Sequence, residues 1–493
     1  MSTATKADAD EIERNVLEEI RPRQEDREKA ERVLSWVMRE LGRFTEEKEP
    51  EARVRVEGSY AKDTWLRTNP EIDVFIMVPE EKGKEYIKNK LFPQLLDWFR
   101  EHQPITRYSE HPYLVLSREG VRVEVVPALS RDSPGKPLTA VDRTPLHTEY
   151  IRSRARDPLL RDQIRLSKQF ARNIGVYGAE IAVEGFSGYL LELLTIHYGG
   201  FRKLLENAVR WKPPVVIDPE NHYGGDRKKI LEVFGSAPMI VVDPVDPTRN
   251  VASALSLDKM AEFSIASALY LSNPSEFFFF LPPLDHLELK RLSSTMEPYA
   301  HNVILVRVQL SQRQAPDNLW GQVKRLSRNI VKTLKGAGYT VLRCSQWASE
   351  EGDRALVACL LDTPTLPQLK LLHGPPFNKP ENVARFIEKH MYTPGAGPWV
   401  REGRLETFVQ RRRINCVDEV ESSLNQIVPK GLREQGRVQV GLLTWLSDEL
   451  GDDERAWLME FLWGKPRWLL PYLFTRRGVY AIPREKPPLS ARE

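Results

Sequence analysis

Residues 57–78 read EGSYAKDTWLRTNPEIDVFIMV, a Gly-Ser turn running into an apolar strand with two acids at its entrance. The apolar run from Ile72 to Val78 is predicted to be a buried β-strand. Residues two apart on a strand project from the same face, so Glu71 and Asp73 point at one place. Carboxylates left unpaired on such a strand are costly to bury, and a cation is expected beside them. A divalent metal is the economical choice. Gly58 allows close approach of the backbone to a ligand, and Ser59 offers a hydroxyl and backbone N–H groups to a triphosphate. Taken singly, Gly-Ser is an ordinary turn and E-x-D an ordinary strand edge, so the reading depends on a third acid.

Glu124 supplies it. The segment Val121 to Val126, VRVEVV, alternates, which puts Arg122 and Glu124 on one face and the valines at 121, 123 and 125 on the other. Preceded by YLVLSREG, it is predicted to form a hairpin with Tyr113 to Ser117 through a tight turn at Glu119-Gly120. Placed beside the strand of Asp73, this hairpin brings three carboxylates together.

Gly-Ser, a helical segment, acid-x-acid and a third acid on a neighbouring strand together resemble the polymerase-beta nucleotidyltransferase superfamily. Three further strings narrow the likeness: AVDRTPLHTEYI (140–151), GVYGAEIAVEGFSGYLLELLTIHYGGF (175–201) and VVDPVDPTRNVASALS (241–256). With FVQRRRINCVDEVESSLNQIVPKG (408–431), they resemble the archaeal-type, class I CCA-adding enzymes, which are tRNA nucleotidyltransferases, over most of residues 15–440. The resemblance implies template-independent addition of C, C and A to the 3′ end of tRNA from CTP and ATP, with release of pyrophosphate. It implies Mg²⁺ as cofactor, held by Glu71, Asp73 and Glu124 as catalytic residues. Glu124 departs from the aspartate usual in the family. The resemblance also assigns Ser59, Lys62, His147, Lys168, Tyr177 and Arg249 to nucleotide binding. Lys62 stands where the family has arginine, which exchanges a bidentate fork for a point charge. Arg249 matches an arginine associated with reading the incoming base.

Composition agrees. At 493 residues the chain exceeds one hydrophobic core. A net charge of +3 confines any nucleic-acid surface to local patches, and two are basic: the Arg-rich stretch 151–173 and Arg411 to Arg413. The three cysteines, Cys344, Cys359 and Cys416, have no ligand spacing and are expected to be reduced core thiols in a cytoplasmic protein. The N-terminus lacks the basic start and apolar run of a signal peptide. No stretch has membrane-spanning length, and FFFFL at 277–281 is expected to be a core strand or a packed turn ended by Pro282-Pro283.

The fold class expected is multidomain α+β: a polymerase-beta-like head at 1–150, a helical nucleotide-binding neck at 151–265, a tRNA-binding α+β body and tail at 266–440, and an extension at 441–493. A helix over 10–48, broken near Pro22, is expected on the head sheet, with another over 84–102. The partners expected are a tRNA 3′ end, CTP and ATP, with a homodimer as an option and no membrane. A poly(A) polymerase or an oligoadenylate synthetase shares the Gly-Ser and the acids but not the 175–201 and 241–256 strings. An RNA-binding protein with a decayed head would not need all three acids. An antibiotic-modifying nucleotidyltransferase would not need so much chain beyond head and neck.

Overall fold

The computed structural model describes residues 6–108, 112–130, 143–281, 299–392, 396–446 and 449–477. Residues 140–142 of the AVDRTPLHTEYI string and Pro282-Pro283 lie outside these. The chain divides into two compact units, Met1–Pro283 with Pro466–Glu493, and Leu284–Lys465.

The first unit opens with helices α1 (Lys6–Ile20) and α2 (Gln24–Lys48), parted at Pro22, which cannot continue a helical hydrogen-bond ladder. Val33, Val37, Leu41 and Phe44 recur at helical spacing on α2 and pack on a five-stranded sheet. Contrary to expectation, α1 does not join that core. Its Val16 and Ile20 pack with the helices that follow the sheet.

The sheet has the order β1 (Arg53–Glu57), β2 (Glu71–Pro79), β5 (Val121–Ser130), β4 (Pro112–Arg118), β3 (Ile105–Tyr108). A single helical turn, α3 (Gly58–Ala61), joins β1 to β2. The helix expected over 84–102 is a segmented run: helical turns flank a π-turn at Ile87–Leu91, and a 3-10 turn closes it at Arg100–His102. Its Ile87, Leu91, Leu95 and Phe99 cover the same sheet face as α2, leaving the opposite face for the acids. Glu119 and Gly120 both have positive φ, as a two-residue hairpin turn requires, and β4 pairs antiparallel with β5 as predicted. β2 and β5 pair in parallel, Glu71 opposite Arg122 and Asp73 opposite Glu124. The convergence of the three acids is therefore a property of strand register.

Beyond the sheet come α4 (Thr144–Arg154), α5 (Pro158–Asn173), α6 (Gly188–Tyr198), α7 (Phe201–Ala208), a small sheet of β6 (Val215–Ile217), β7 (Met239–Asp243) and β8 (Asp246–Asn250) with α8 (Arg227–Phe234), and α9 (Leu257–Ser272). Phe170, Phe186, Phe201, Phe263, Tyr270, Phe278 and Phe279 centre their core. The boundary drawn at residue 265 falls inside α9, because Phe263, Ala266 and Tyr270 bury in one cluster. The FFFFL run is a packed turn: Glu276–Phe278 form a 3-10 turn that buries Phe278 and Phe279.

The second unit, expected to be α+β, opens with β9 (Val303–Leu310), α10 (Pro316–Ala337), β10 (Val341–Ala348) and β11 (Arg354–Leu361). β11 sits between β9 and β10, and all pairings are antiparallel. A three-stranded sheet of β12 (Leu369–Pro376), β14 (Arg404–Gln410) and β13 (Trp399–Arg401) follows, with α11 (Pro380–His390), and β15 (Gly436–Leu442) pairs with β9. Two of the three cysteines are not the reduced thiols expected. Cys344 and Cys359 face each other across β10 and β11 and form a disulfide, while Cys416 is buried and free. A cross-strand pairing of this kind leaves no spacing signature in the sequence.

The expected extension at 441–493 is divided. Helix α12 (Asp452–Trp463) buries Leu458 and Phe461 in the second unit and ends at Gly464 in left-handed conformation. Helix α13 (Leu470–Arg477) belongs to the first unit, where Arg467 Nε donates to Asn173 O at 2.7 Å and Phe474 meets Phe277. Among the described residues no helix is long and apolar enough to cross a membrane.

Candidate active site

Glu71, Asp73 and Glu124 are half-buried, and each offers a carboxylate oxygen within 4.8 Å of the others. Arg122, opposite Glu71 in the register, reaches both flanking acids: its Nε lies 3.3 Å from Glu71 Oε1 and its Nη2 pairs with Glu124 Oε1. That single guanidinium does not balance the cluster. Burial, and then the charge of Glu71, push Asp73 up to about 7, and the same two causes raise Glu124. A set of oxygen donors carrying more negative charge than its surroundings neutralise is what a hard divalent cation requires.

Gly58 also makes space for one of the acids. Its φ is +70°, and a Cβ placed there would lie 1.6 Å from Asp73 Oδ2. The glycine therefore makes room for the Asp73 carboxylate itself. Ser59 follows in α3, half-buried, and its carbonyl accepts from Thr64 N–H at 2.9 Å, which folds the loop back on itself.

Lys62 at the end of α3 and Lys168 on α5 both turn inward onto one carboxylate, Glu192 of α6. Lys62 Nζ lies 2.6 Å from Glu192 Oε2, and Lys168 Nζ lies 2.7 Å from Oε1. Thr64 Oγ1 also donates to Oε1, at 2.6 Å. Burial alone would raise the Glu192 pKa, but the two ammonium groups outweigh it and hold the carboxyl at about 2. Burial draws Lys168 down to about 8. Tyr177 lies near Lys168: a Cβ on Gly188 would meet the Tyr177 hydroxyl at 2.8 Å and Lys168 Cε at 3.8 Å, the Arg172 guanidinium lies over the Tyr177 ring, and burial pushes the phenol up to about 12.

His147 and Arg249 converge on Asp243, at the end of β7. His147 Nε2 lies 2.9 Å from Asp243 Oδ2, and Arg249 Nη1 donates to the same oxygen at 2.8 Å. Tyr189 O–H donates to Oδ1 at 3.3 Å, and its ring stacks on His147 with centroids 3.9 Å apart. Burial lowers the His147 pKa, and Asp243 is held low against its burial by His147. Arg249 nonetheless keeps 29% of its side chain exposed. Lys62 Nζ sits 5.8 Å from the Tyr189 ring centroid, linking the lysine pair to the His147 group.

Sequence reasoning missed Thr64, Tyr189 and Glu192. Glu192 had a signal, since GYLLELLTIHY is an apolar helix with one acid at its centre, and a buried charge demands partners. The Arg-rich stretch 151–173 is in part not a nucleic-acid surface. Arg161 and Arg165 are spent on Asp63, and Arg165 also on Asp162, while Arg152, Arg154 and Arg156 stay exposed.

Three family models match the chain: "Nucleotidyltransferase domain" over residues 38–147, "tRNA nucleotidyltransferase, second domain" over 162–280, and "CCA-adding enzyme, C-terminal domain" over 303–435. The chain is 36% identical over 462 residues to the CCA-adding enzyme of Sulfolobus acidocaldarius, covering 93% of this chain and 99% of that one. It is 35% identical over 459 residues to the CCA-adding enzyme of Saccharolobus shibatae, covering 93% and 100%.

Proposed function

This chain belongs to the family of CCA-adding enzymes and adds C, C and A to the 3′ end of tRNA, and we propose that Glu71, Asp73 and Glu124 are its catalytic, metal-holding residues. The observation that carries this reading is the parallel register of β2 and β5, which sets Asp73 opposite Glu124. An all-carboxylate donor set favours Mg²⁺. Bound there, divalent ions would activate the primer 3′-hydroxyl and neutralise the triphosphate and the leaving pyrophosphate.

The chain's own residues bind and orient. Ser59 and Lys62 engage the triphosphate, with Lys168 and Tyr177 beside them. His147 joins the nucleotide site through the Asp243 carboxylate that it shares with Arg249, and the exposed part of the Arg249 guanidinium offers donors to the acceptor edge of cytosine, so no nucleic-acid template is needed. The activity belongs in the cytoplasm, with the tRNA 3′ end, CTP and ATP as ligands.

Metal binding should release protons, because Asp73 and Glu124 have raised pKa values and ligands must be deprotonated. Mg²⁺ affinity, measured calorimetrically in buffers of different ionisation heat, should rise between about pH 6 and about pH 8. An affinity flat across that window would remove the triad from metal binding. In the metal-free protein the raised carboxyls contribute stability that is present at low pH and lost as pH climbs through their folded values.

Arg249→Ala should cut efficiency with CTP and ATP by about 10- to 100-fold, the scale of one charged hydrogen bond, and raise misincorporation of UTP or GTP. The bond to Asp243 also suits an arginine that only braces the β7–β8 turn. In that case melting temperature falls while the CTP-to-UTP ratio holds, so measuring both decides.

A further inference from the structure

Counting hydrogens separates the two lysines around Glu192. Lys168 Nζ has three N–H groups and three acceptors in place: Glu192 Oε1 at 2.7 Å, Thr64 Oγ1 at 3.0 Å and Thr64 O at 3.3 Å. Lys62 Nζ, among the described residues, has one, Glu192 Oε2 at 2.6 Å, which leaves two N–H groups for a further acceptor. Glu192 is fully buried, and both of its oxygens are engaged.

We propose that Glu192 is a positioning residue that aims Lys62 at the nucleotide triphosphate, with Lys168 and Thr64 fixing the Glu192 carboxylate in place. The inference rests on the reading of Lys62 as a triphosphate contact. A lysine side chain on its flexible stem has many rotamers, and holding it by one buried anion removes that freedom before the nucleotide arrives. One ammonium balances Glu192, so the group presents a net charge of +1. Glu192 is carried by α6, whose Leu191 and Leu193 are buried in the core, so the backbone from which the carboxylate extends is itself held by packing. This arrangement supports nucleotide affinity without touching the nucleotide.

The experiment uses the full chain and three variants, Lys62→Met, Glu192→Asp and the pair combined, with KM for CTP, KM for ATP, KM for tRNA, kcat and melting temperature measured for each. Glu192→Asp keeps the charge and withdraws it by one methylene, so it tests aim rather than charge and avoids leaving two buried lysines without an anion. It should raise KM for CTP and ATP together by about 10-fold, with kcat at saturating nucleotide and KM for tRNA within about 2-fold of the parent. Because Glu192 acts through Lys62, adding Glu192→Asp to Lys62→Met should cost less than about 2-fold more. A purely structural role would instead lower melting temperature and leave nucleotide KM unchanged, and an independent role would multiply the two effects; either result overturns the proposal. If Lys62→Met itself leaves nucleotide KM unchanged, the triphosphate reading of Lys62 fails, and the proposal with it. A raised KM for Lys62→Met beside a normal one for Glu192→Asp defeats the proposal alone.

Discussion

Asp73→Ala should lower the turnover of CTP and ATP by about 10³-fold or more, while tRNA binding changes little. Asp73 lies between Glu71, two residues before it on β2, and Glu124, opposite it in register, so both outer acids share it. Removing it dismantles the donor set rather than trimming one ligand. The sheet itself should tolerate the change, since Ile72 and Val74 on the other face pack the core and are untouched. Single-turnover rates at saturating nucleotide, beside a filter-binding measurement of tRNA affinity, give both quantities. Near-normal incorporation would show that the carboxylate cluster is not the seat of the chemistry.

Gly58→Ala should cost about 10²-fold in turnover, because a misplacement of about 1 Å at reacting groups has effects of that size. The new methyl would occupy the volume of Asp73 Oδ2, and the backbone at φ +70° disfavours any side chain. Gly120→Ala is the control. That glycine has the same φ, yet its nearest neighbour would be Lys29 Nζ at 3.5 Å. It should therefore lose stability through backbone strain and keep its turnover once folded. Equal losses in the two variants would mean that backbone strain, not displacement of Asp73, explains the Gly58 result.

The parts of this molecule governed by short periods were legible in the sequence. Period-two alternation placed Glu71 with Asp73 and turned Glu124 away from its flanking valines, and the Glu119-Gly120 turn announced the hairpin. What alternation could not supply was strand order, and the meeting of the acids depends on β5 lying beside β2 rather than at an edge. Long-range charge pairing was hidden for the same reason. Lys62 and Glu192 are 130 residues apart, and no local pattern links a lysine after a Gly-Ser turn to an acid in an apolar helix. The Cys344–Cys359 pair and the docking of α1 on the later helices likewise arise from tertiary neighbours. Basic composition misled in the opposite direction, since Arg165 looked like a nucleic-acid contact and is buried between two aspartates. The neck boundary at 265 failed because a helix that buries Phe263 and Tyr270 in one core gives no compositional break.

Parent and Asp73→Ala should be incubated side by side, in the presence of Mg²⁺, with tRNA that lacks its 3′-terminal CCA and with labelled CTP, labelled ATP or both. The parent should add C and C from CTP alone, nothing from ATP alone, and C, C then A with addition stopping when both are present, while Asp73→Ala should add none of these at matched enzyme and time. Untemplated runs of A or U by the parent, or ordered CCA addition that survives Asp73→Ala, would rule out CCA addition by the carboxylate triad.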